Sequence, residues 1–219
     1  MRLTPPDKLR FTQTDLLQVN YGGSEANVAV SLANFGLQSE FVSCLPANRV
    51  ADACLDDLRR YGVETQHIRR DGERLGIYYM EESAALRNSH VVYDRSGSSF
   101  ATLRTGTIDW EEIFRGAHWF HWSGIAAAVS ASTAAVCAEA VAAARRMGLI
   151  VSCDINYRKN LWKYGAQIEE VLPPMMADCD VLFGTDDEFE RVLGVRLPAF
   201  AACDASYVPD LAGYEAVAR

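Results

Sequence analysis

Residues 117–154 read as strand, helix, strand, and this run most constrains the fold. AHWFHWSG (117–124) and LIVSCD (149–154) are short apolar segments bounded by glycine or polar residues, as buried strands are. Between them, SASTAAVCAEAVAAARRMG (130–148) has a Ser/Thr start that can cap a helix, Arg145 and Arg146 at its negative end, and Gly148 as a stop. Strands joined by such a helix are the signature of a parallel sheet with crossover helices.

The same alternation extends in both directions. Helices are predicted near 25–35 and over 50–62, with a strand at 39–45. Further on come a helix around 166–177 interrupted by Pro173 and Pro174, a strand at 180–184 and a short helix from Asp186 to Leu193. The fold class is therefore α/β: one domain over 1–219, with a mostly parallel sheet flanked by helices. Residues 66–104 break the pattern. HIRR, GIYYME and SHVVYDR read as short antiparallel strands of a separate β layer.

A chain of 219 residues that is 49% hydrophobic can bury one large core or two small ones. Its net charge of -8 opposes non-specific attraction to nucleic acid or anionic lipid, so no nucleic-acid or membrane partner is expected. No stretch reaches the roughly 18 apolar residues of a membrane span, and MRLTPPDKLR lacks a signal-peptide core, which points to a cytoplasmic protein. Six cysteines (44, 54, 137, 153, 179 and 203) without C-x-x-C spacing read as free thiols. Four histidines without paired spacing suggest no transition-metal site, and no Ser, His and Asp constellation suggests a hydrolase. His118, His121, Trp119 and Trp122 read as packing residues.

Candidate ligand groups fall in a few places. In YGGSEANVAVSLANFG (21–36), Gly22 and Gly23 can take positive φ and let a ligand approach the backbone, and the helix behind them offers free N–H groups to a sugar hydroxyl or an anion; a plain turn is the competing reading. DINYR follows the strand 149–153, so Asp154, Asn156 and Arg158 face one way if the segment stays extended. There they form either a site at a strand's C-terminal end or an ion pair beside a turn. Tyr93 and Arg95 share a strand face by the same period, with Tyr78 on a neighbouring strand. A phenol and a guanidinium suit sugar hydroxyls and a carboxylate, though a solvated surface strand fits the same pattern. FHWSGI ends a strand at a glycine, so the backbone around Ser123, Gly124 and Ile125 can line the same cleft.

Together these motifs carry a resemblance. Gly22, Gly23, Asn27 and Gly36, then LGIYYMEE (75–82), HVVYDRSGSS (90–99), FHWSGI (120–125) and DINYRKNLW (154–162), are similar in order and spacing to the ribokinase-like (PfkB) sugar kinases, in their 2-keto-3-deoxygluconate kinase branch. The resemblance implies a ribokinase-like fold with a β-sheet lid, from strands near 11–20 and 66–104, that covers the sugar and often joins two subunits. It implies ATP and Mg²⁺ as cofactors and a sugar acid as acceptor. It also implies acceptor-binding roles for Gly22, Gly23, Asn27, Tyr78, Tyr93, Arg95, Ile125, Asn156 and Arg158. In FGTDDEFE (183–190), Glu188 matches the glutamate of an Asn-x-x-Glu element that influences magnesium and phosphate, and Thr185 replaces the asparagine.

Two family features have no match. The first core strand would precede Met1, and the Gly-Ala-Gly-Asp motif that supplies the anion hole and the general base is expected beyond Arg219. The chain reads as truncated at both ends and by itself inactive. Two other readings stay open: a fructokinase or ribokinase, against which Arg95 and Arg158 argue because a neutral sugar needs no second guanidinium, and a non-catalytic sugar-acid-binding module.

Overall fold

A computed structural model of the chain describes residues 1–196 together with Ala212 and Glu215. In chain order, β1 (Arg2–Thr4) and β2 (Gln18–Asn20) lead into α1 (Ser24–Asn34), β3 (Ser43–Leu45), α2 (Arg49–Arg60) and β4 (Ile68–Arg70). Then come β5 (Ile77–Glu81), β6 (His90–Asp94), α3 (Trp110–Ile113), β7 (Trp119–Ser123) and α4 (Gly124–Ala127). Helix α5 (Ala131–Arg146), β8 (Ile150–Asp154), α6 (Ile168–Met176), β9 (Val181–Phe183) and α7 (Asp186–Leu193) follow.

The predicted crossover forms as β7, α5 and β8, with β7 and β8 parallel. Ser130 caps α5: its Oγ accepts the Thr133 N–H at 3.1 Å, while Thr133 Oγ1 accepts the Ser130 N–H at 3.1 Å. Gly148, at φ 79°, takes the left-handed step that ends the helix. Val136, Ala140, Val141 and Ala144 of α5 then bury against a core that includes Val151 and Cys153 of β8 and Leu172 of α6. A smaller core joins α1, α2 and β4 through Ala26, Ala29, Leu55, Leu58 and Ile68.

Sheet topology departs from expectation in two respects. Two sheets are wholly parallel, β3-β4 and β7-β8-β9, and HIRR belongs to the first: Ile68–Arg70 runs parallel to Ser43–Leu45. It is not a lid strand, because Ile68 is needed in the small core. The lid is a four-stranded sheet in the order β2-β1-β5-β6, with Arg2–Thr4 as an inner strand that three residues gave no periodicity to reveal. Only Gln18–Asn20 of the 11–20 segment forms a strand. Upstream, Arg10 N–H donates to Gln13 Oε1 and Leu16 N–H to Thr14 Oγ1, and these side-chain bonds hold turns instead. Residues 98–104 likewise form turns, with the Ser99 N–H bonded to the Arg74 carbonyl.

Pro173 and Pro174 do not interrupt α6. Their missing N–H groups deprive the carbonyls of Glu169 and Glu170 of their usual helical donors, at two exposed residues where water can substitute. Meanwhile Ile168, Leu172, Met175 and Met176 stay buried and hold the helix to the core.

Cys44, Cys54, Cys137, Cys153 and Cys179 are free thiols, and Cys203 lies outside the described residues. No helix among the described residues is long and apolar enough to cross a membrane.

Candidate acceptor-sugar site

The lid's register sets the first wall. Asn20 pairs with Arg2, Arg2 with Tyr78 and Tyr78 with Tyr93, so all four side chains share one face. Tyr78 and Tyr93 lie 6.2 Å apart between ring centroids. Arg95 stands just past the strand end, its guanidinium carbon 4.9 Å from the Tyr93 ring centroid and 5.8 Å from that of Tyr78. The shared face predicted for Tyr78, Tyr93 and Arg95 is thus observed. Arg2 was missed in the sequence, and its buried Nε has no hydrogen-bond partner.

The second wall is the C-terminal end of β8. Here the expectation that Asp154, Asn156 and Arg158 face one way does not hold, because the strand stops at Asp154 and Asn156 takes a left-handed conformation with φ 44°. The turn sends Asn156 inward: Nδ2 donates to Ser123 Oγ at 3.2 Å, and Oδ1 is buried without a partner. Arg158 remains exposed, with one Nη donating to the Tyr157 carbonyl at 3.0 Å. It is still close enough to Arg95 for the two charges to repel. Ser123 caps α4 by accepting the Ile125 N–H at 3.3 Å, which places Ile125 beside Asn156's partner.

Burial, above all, pushes the Asp154 carboxyl up, and Glu188 adds to this, while the Asn156 N–H, His121 and Arg158 pull it down. His121 bonds through Nδ1 to Ser152 Oγ at 2.8 Å, and burial lowers its pKa. Trp122 is buried, as a packing residue should be, whereas Trp119 is 53% exposed and tied to Ser152 Oγ by its indole N–H at 2.7 Å.

Helix α1 supplies the third wall. Neither glycine before it takes positive φ: Gly23 is extended at φ 172°, and no residue lies within 4 Å of where its Cβ would stand. Close approach to the backbone is open there; left-handed strain is not present. Gly22 and Asn27 line a cavity of about 540 Å³ toward α2, together with Asn20, Asp57, Arg60 and Tyr61. Glu25 points differently. Burial pushes its carboxyl up, the Arg95 charge pulls it down and that of Asp154 raises it, and its Oε2 accepts the Ser24 hydroxyl at 2.8 Å.

Glu188 sits in a capping box at the start of α7, within electrostatic reach of Asp154. Its Oε2 accepts from the Thr185 N–H at 2.9 Å and the Thr185 hydroxyl at 3.1 Å, and its Oε1 accepts the Tyr157 N–H at 2.6 Å. Both oxygens are occupied by protein donors. Among the described residues, no group of three or more His, Cys, Asp and Glu converges on a metal position.

A family profile described as pfkB family carbohydrate kinase matches residues 12–207. The chain belongs to the PfkB family of carbohydrate kinases. This PfkB chain is 30% identical over 193 residues to a Haloferax volcanii protein named 2-dehydro-3-deoxygalactonokinase, covering 88% of the chain and 60% of the relative. It is 28% identical over 176 residues to a Clostridium perfringens protein named 5-dehydro-2-deoxygluconokinase, covering 80% and 51%. Among solved structures, 2-dehydro-3-deoxygluconokinase from Thermotoga maritima superposes with a TM-score of 0.86 at 43% identity, covering 90% of this chain and 60% of that one. The PfkB chain thus spans 51–60% of the length of these relatives.

Proposed function

We propose that this chain carries the acceptor-binding half of a kinase that moves the γ-phosphoryl group of ATP, with Mg²⁺, to a hydroxyl of a keto-deoxy sugar acid, 2-keto-3-deoxygluconate being the first candidate. The observation that carries this reading is Arg95, stacked on two tyrosine rings and within electrostatic reach of Arg158. An anionic ligand between these two guanidinium groups is attracted by both.

The remaining polar groups suit the rest of a sugar acid. The Tyr78 and Tyr93 hydroxyls and the backbone at Gly22 and Gly23, open at Gly23, can bond sugar hydroxyls. The buried, unpartnered Asn156 Oδ1 is an acceptor for one more, beside Ile125. Asn27 has its place at the edge toward α2. The kinase-named relatives share a keto-deoxy sugar acid in their names, which favours this acceptor class over a neutral sugar.

The phosphoryl donor is a different matter. Glu188, the one residue assigned to it, is committed to Thr185 and Tyr157, so the described residues do not fit ATP or Mg²⁺ and no step is derived through them. We further propose a homo-oligomer joined through the lid. Its outer face carries the cross-strand row Val19, Leu3, Tyr79 and Val92, of which Val19 is 54% and Val92 48% exposed.

Equilibrium binding of 2-keto-3-deoxygluconate, fructose and ribose to the 219-residue chain tests the acceptor. The sugar acid should bind at least about tenfold more tightly, one charge-assisted hydrogen bond's worth. Preference for fructose or ribose would make this a neutral-sugar kinase, and binding of none would remove the acceptor reading.

A further inference from the structure

The inner face of the lid carries a guanidinium besides that of Arg95. Arg2 belongs to the cross-strand row Asn20, Arg2, Tyr78 and Tyr93, which runs over β2, β1, β5 and β6 in that order. Paired residues of neighbouring strands leave a sheet on the same side, so Arg2 stands beside Tyr78 on the flank away from Tyr93. That flank leads to open backbone. Asn20 is followed by Tyr21, Gly22 and Gly23, and nothing lies within 4 Å of where a Gly23 Cβ would stand. On the other flank Arg95 covers the Tyr93 ring at 4.9 Å. Two arginines therefore bracket the tyrosine pair.

Arg2 is also short of acceptors. It is half-buried, its Nε is buried without a partner, and its side chain has no hydrogen bond or ion pair among the described residues. Two other half-buried arginines of the lid region are satisfied differently: Arg74 donates to the Ser96 carbonyl, and Arg87, whose Nε is also unpartnered, donates through Nη2 to the Lys8 and Glu82 carbonyls. A donor taken out of water without an acceptor costs free energy, and a ligand oxygen that reaches it recovers that cost.

We infer that Arg2 is a specificity-determining residue of the acceptor site, donating to the hydroxyl-bearing end of the sugar acid while Arg95 and Arg158 take the carboxylate. The inference rests on the sugar-acid reading above. Arginine offers parallel N–H donors in a fixed fork and accepts nothing, so it matches two oxygens on neighbouring carbons as well as it matches a carboxylate. Position decides between them. Arg2 and Tyr93 stand two strands apart, roughly 10 Å between backbones. The hydroxyls of 2-keto-3-deoxygluconate are on the three carbons farthest from its carboxylate. A ligand held by its carboxylate at Arg95 and laid across the Tyr78 ring brings those hydroxyls to Arg2. The two arginines thus read the ligand from opposite ends, and a keto acid without hydroxyls leaves the Arg2 donors unpaired, which is how a polar site rejects an analogue.

Titration calorimetry of the 219-residue chain tests this with 2-keto-3-deoxygluconate and, by competition, with 2-oxohexanoate, which keeps the carboxylate and keto group and has no hydroxyl. Arg2→Met keeps the apolar stem and removes the donors. It should weaken the sugar acid by at least about tenfold, the worth of a hydrogen bond to a charged group, and leave 2-oxohexanoate unchanged, whereas Arg95→Ala should weaken both. If 2-oxohexanoate competes too weakly to measure, the double variant decides: losses from Arg2→Met and Arg95→Ala should add if the two residues hold different ends, and fall short of the sum if they share the carboxylate. Thermal melts of the empty chain separate binding from folding, because removing an unpaired buried donor should hold or raise the melting temperature. An unchanged sugar-acid affinity, an equal loss for both acids, a shortfall in the double variant, or an Arg2→Met chain that fails to fold or melts earlier overturns the inference and leaves the sugar-acid reading standing. No sugar-acid binding by the wild type overturns both.

Discussion

Arg95 lies over the Tyr93 ring at 4.9 Å, two residues further along the chain, so the strand that presents the tyrosine also aims the guanidinium. The Tyr78 pairing across β5 and β6 adds a second ring from the next strand. A flexible side chain is thereby held by two flat surfaces and loses less entropy when it grips a ligand.

Tyr93→Ala should remove that support. A cation–π contact is worth roughly 0.5–2 kcal/mol, so sugar-acid affinity should fall by about 2- to 30-fold. Tyr93→Phe, which keeps the ring, should lose less, and titration calorimetry of the two variants separates ring from hydroxyl.

Thr185 and Glu188 cap α7 reciprocally, and Glu188 also accepts the Tyr157 N–H from the loop after β8. Thr185→Ala should cost about 1 kcal/mol, as lost N-caps do. Glu188→Ala should cost more, because it frees a second segment. Urea denaturation midpoints measure both. Equal, negligible costs would show that the capping bonds contribute nothing net.

Acid should loosen the junction of α5 and β9. Asp180 accepts the Val151 N–H at 2.8 Å and pairs with Arg145, and these partners hold its carboxyl below the usual range. A carboxyl depressed in the folded state stabilises the fold fully above its unfolded value of roughly 4. That contribution is lost as pH falls through the lower folded value. Asp180→Asn should therefore lower stability at pH 7 and change it little near pH 2, as read by thermal melts at both values.

The outer lid row predicts association. Light scattering at tens of micromolar, a concentration suited to moderate affinity, should show a dimer or larger species. Val92→Glu, which puts a charge in the row beside Tyr79, should shift it toward monomer. A clean monomer for the wild type contradicts the lid as an interface.

How much of this was legible in the sequence depended on the range of the interactions. Helix α5 was readable because its cap, its basic end and its glycine stop all lie within 20 residues of one another. The shared face of Tyr78, Tyr93 and Arg95 needed only strand periodicity. Asn156 was misplaced because one left-handed residue breaks that periodicity, and asparagine tolerates the step without a sequence mark. Glu25 went unread because an acid in a helix's first turn already has a local explanation in the dipole. The influence on it of the Arg95 charge, 70 residues away, exists only in the folded chain.

The central claim is that Arg95 and Arg158 together recognise a carboxylate. The direct test is calorimetry of wild type, Arg95→Ala, Arg158→Ala and the double variant against 2-keto-3-deoxygluconate and its neutral alcohol analogue. Each single change should weaken sugar-acid binding by about 10- to 100-fold, from roughly 1.5–3 kcal/mol per lost charged hydrogen bond, and leave the alcohol nearly unaffected. The double variant should lose less than the sum, because both arginines meet one carboxylate. Equal wild-type affinity for acid and alcohol, with neither arginine changing it, would contradict the account.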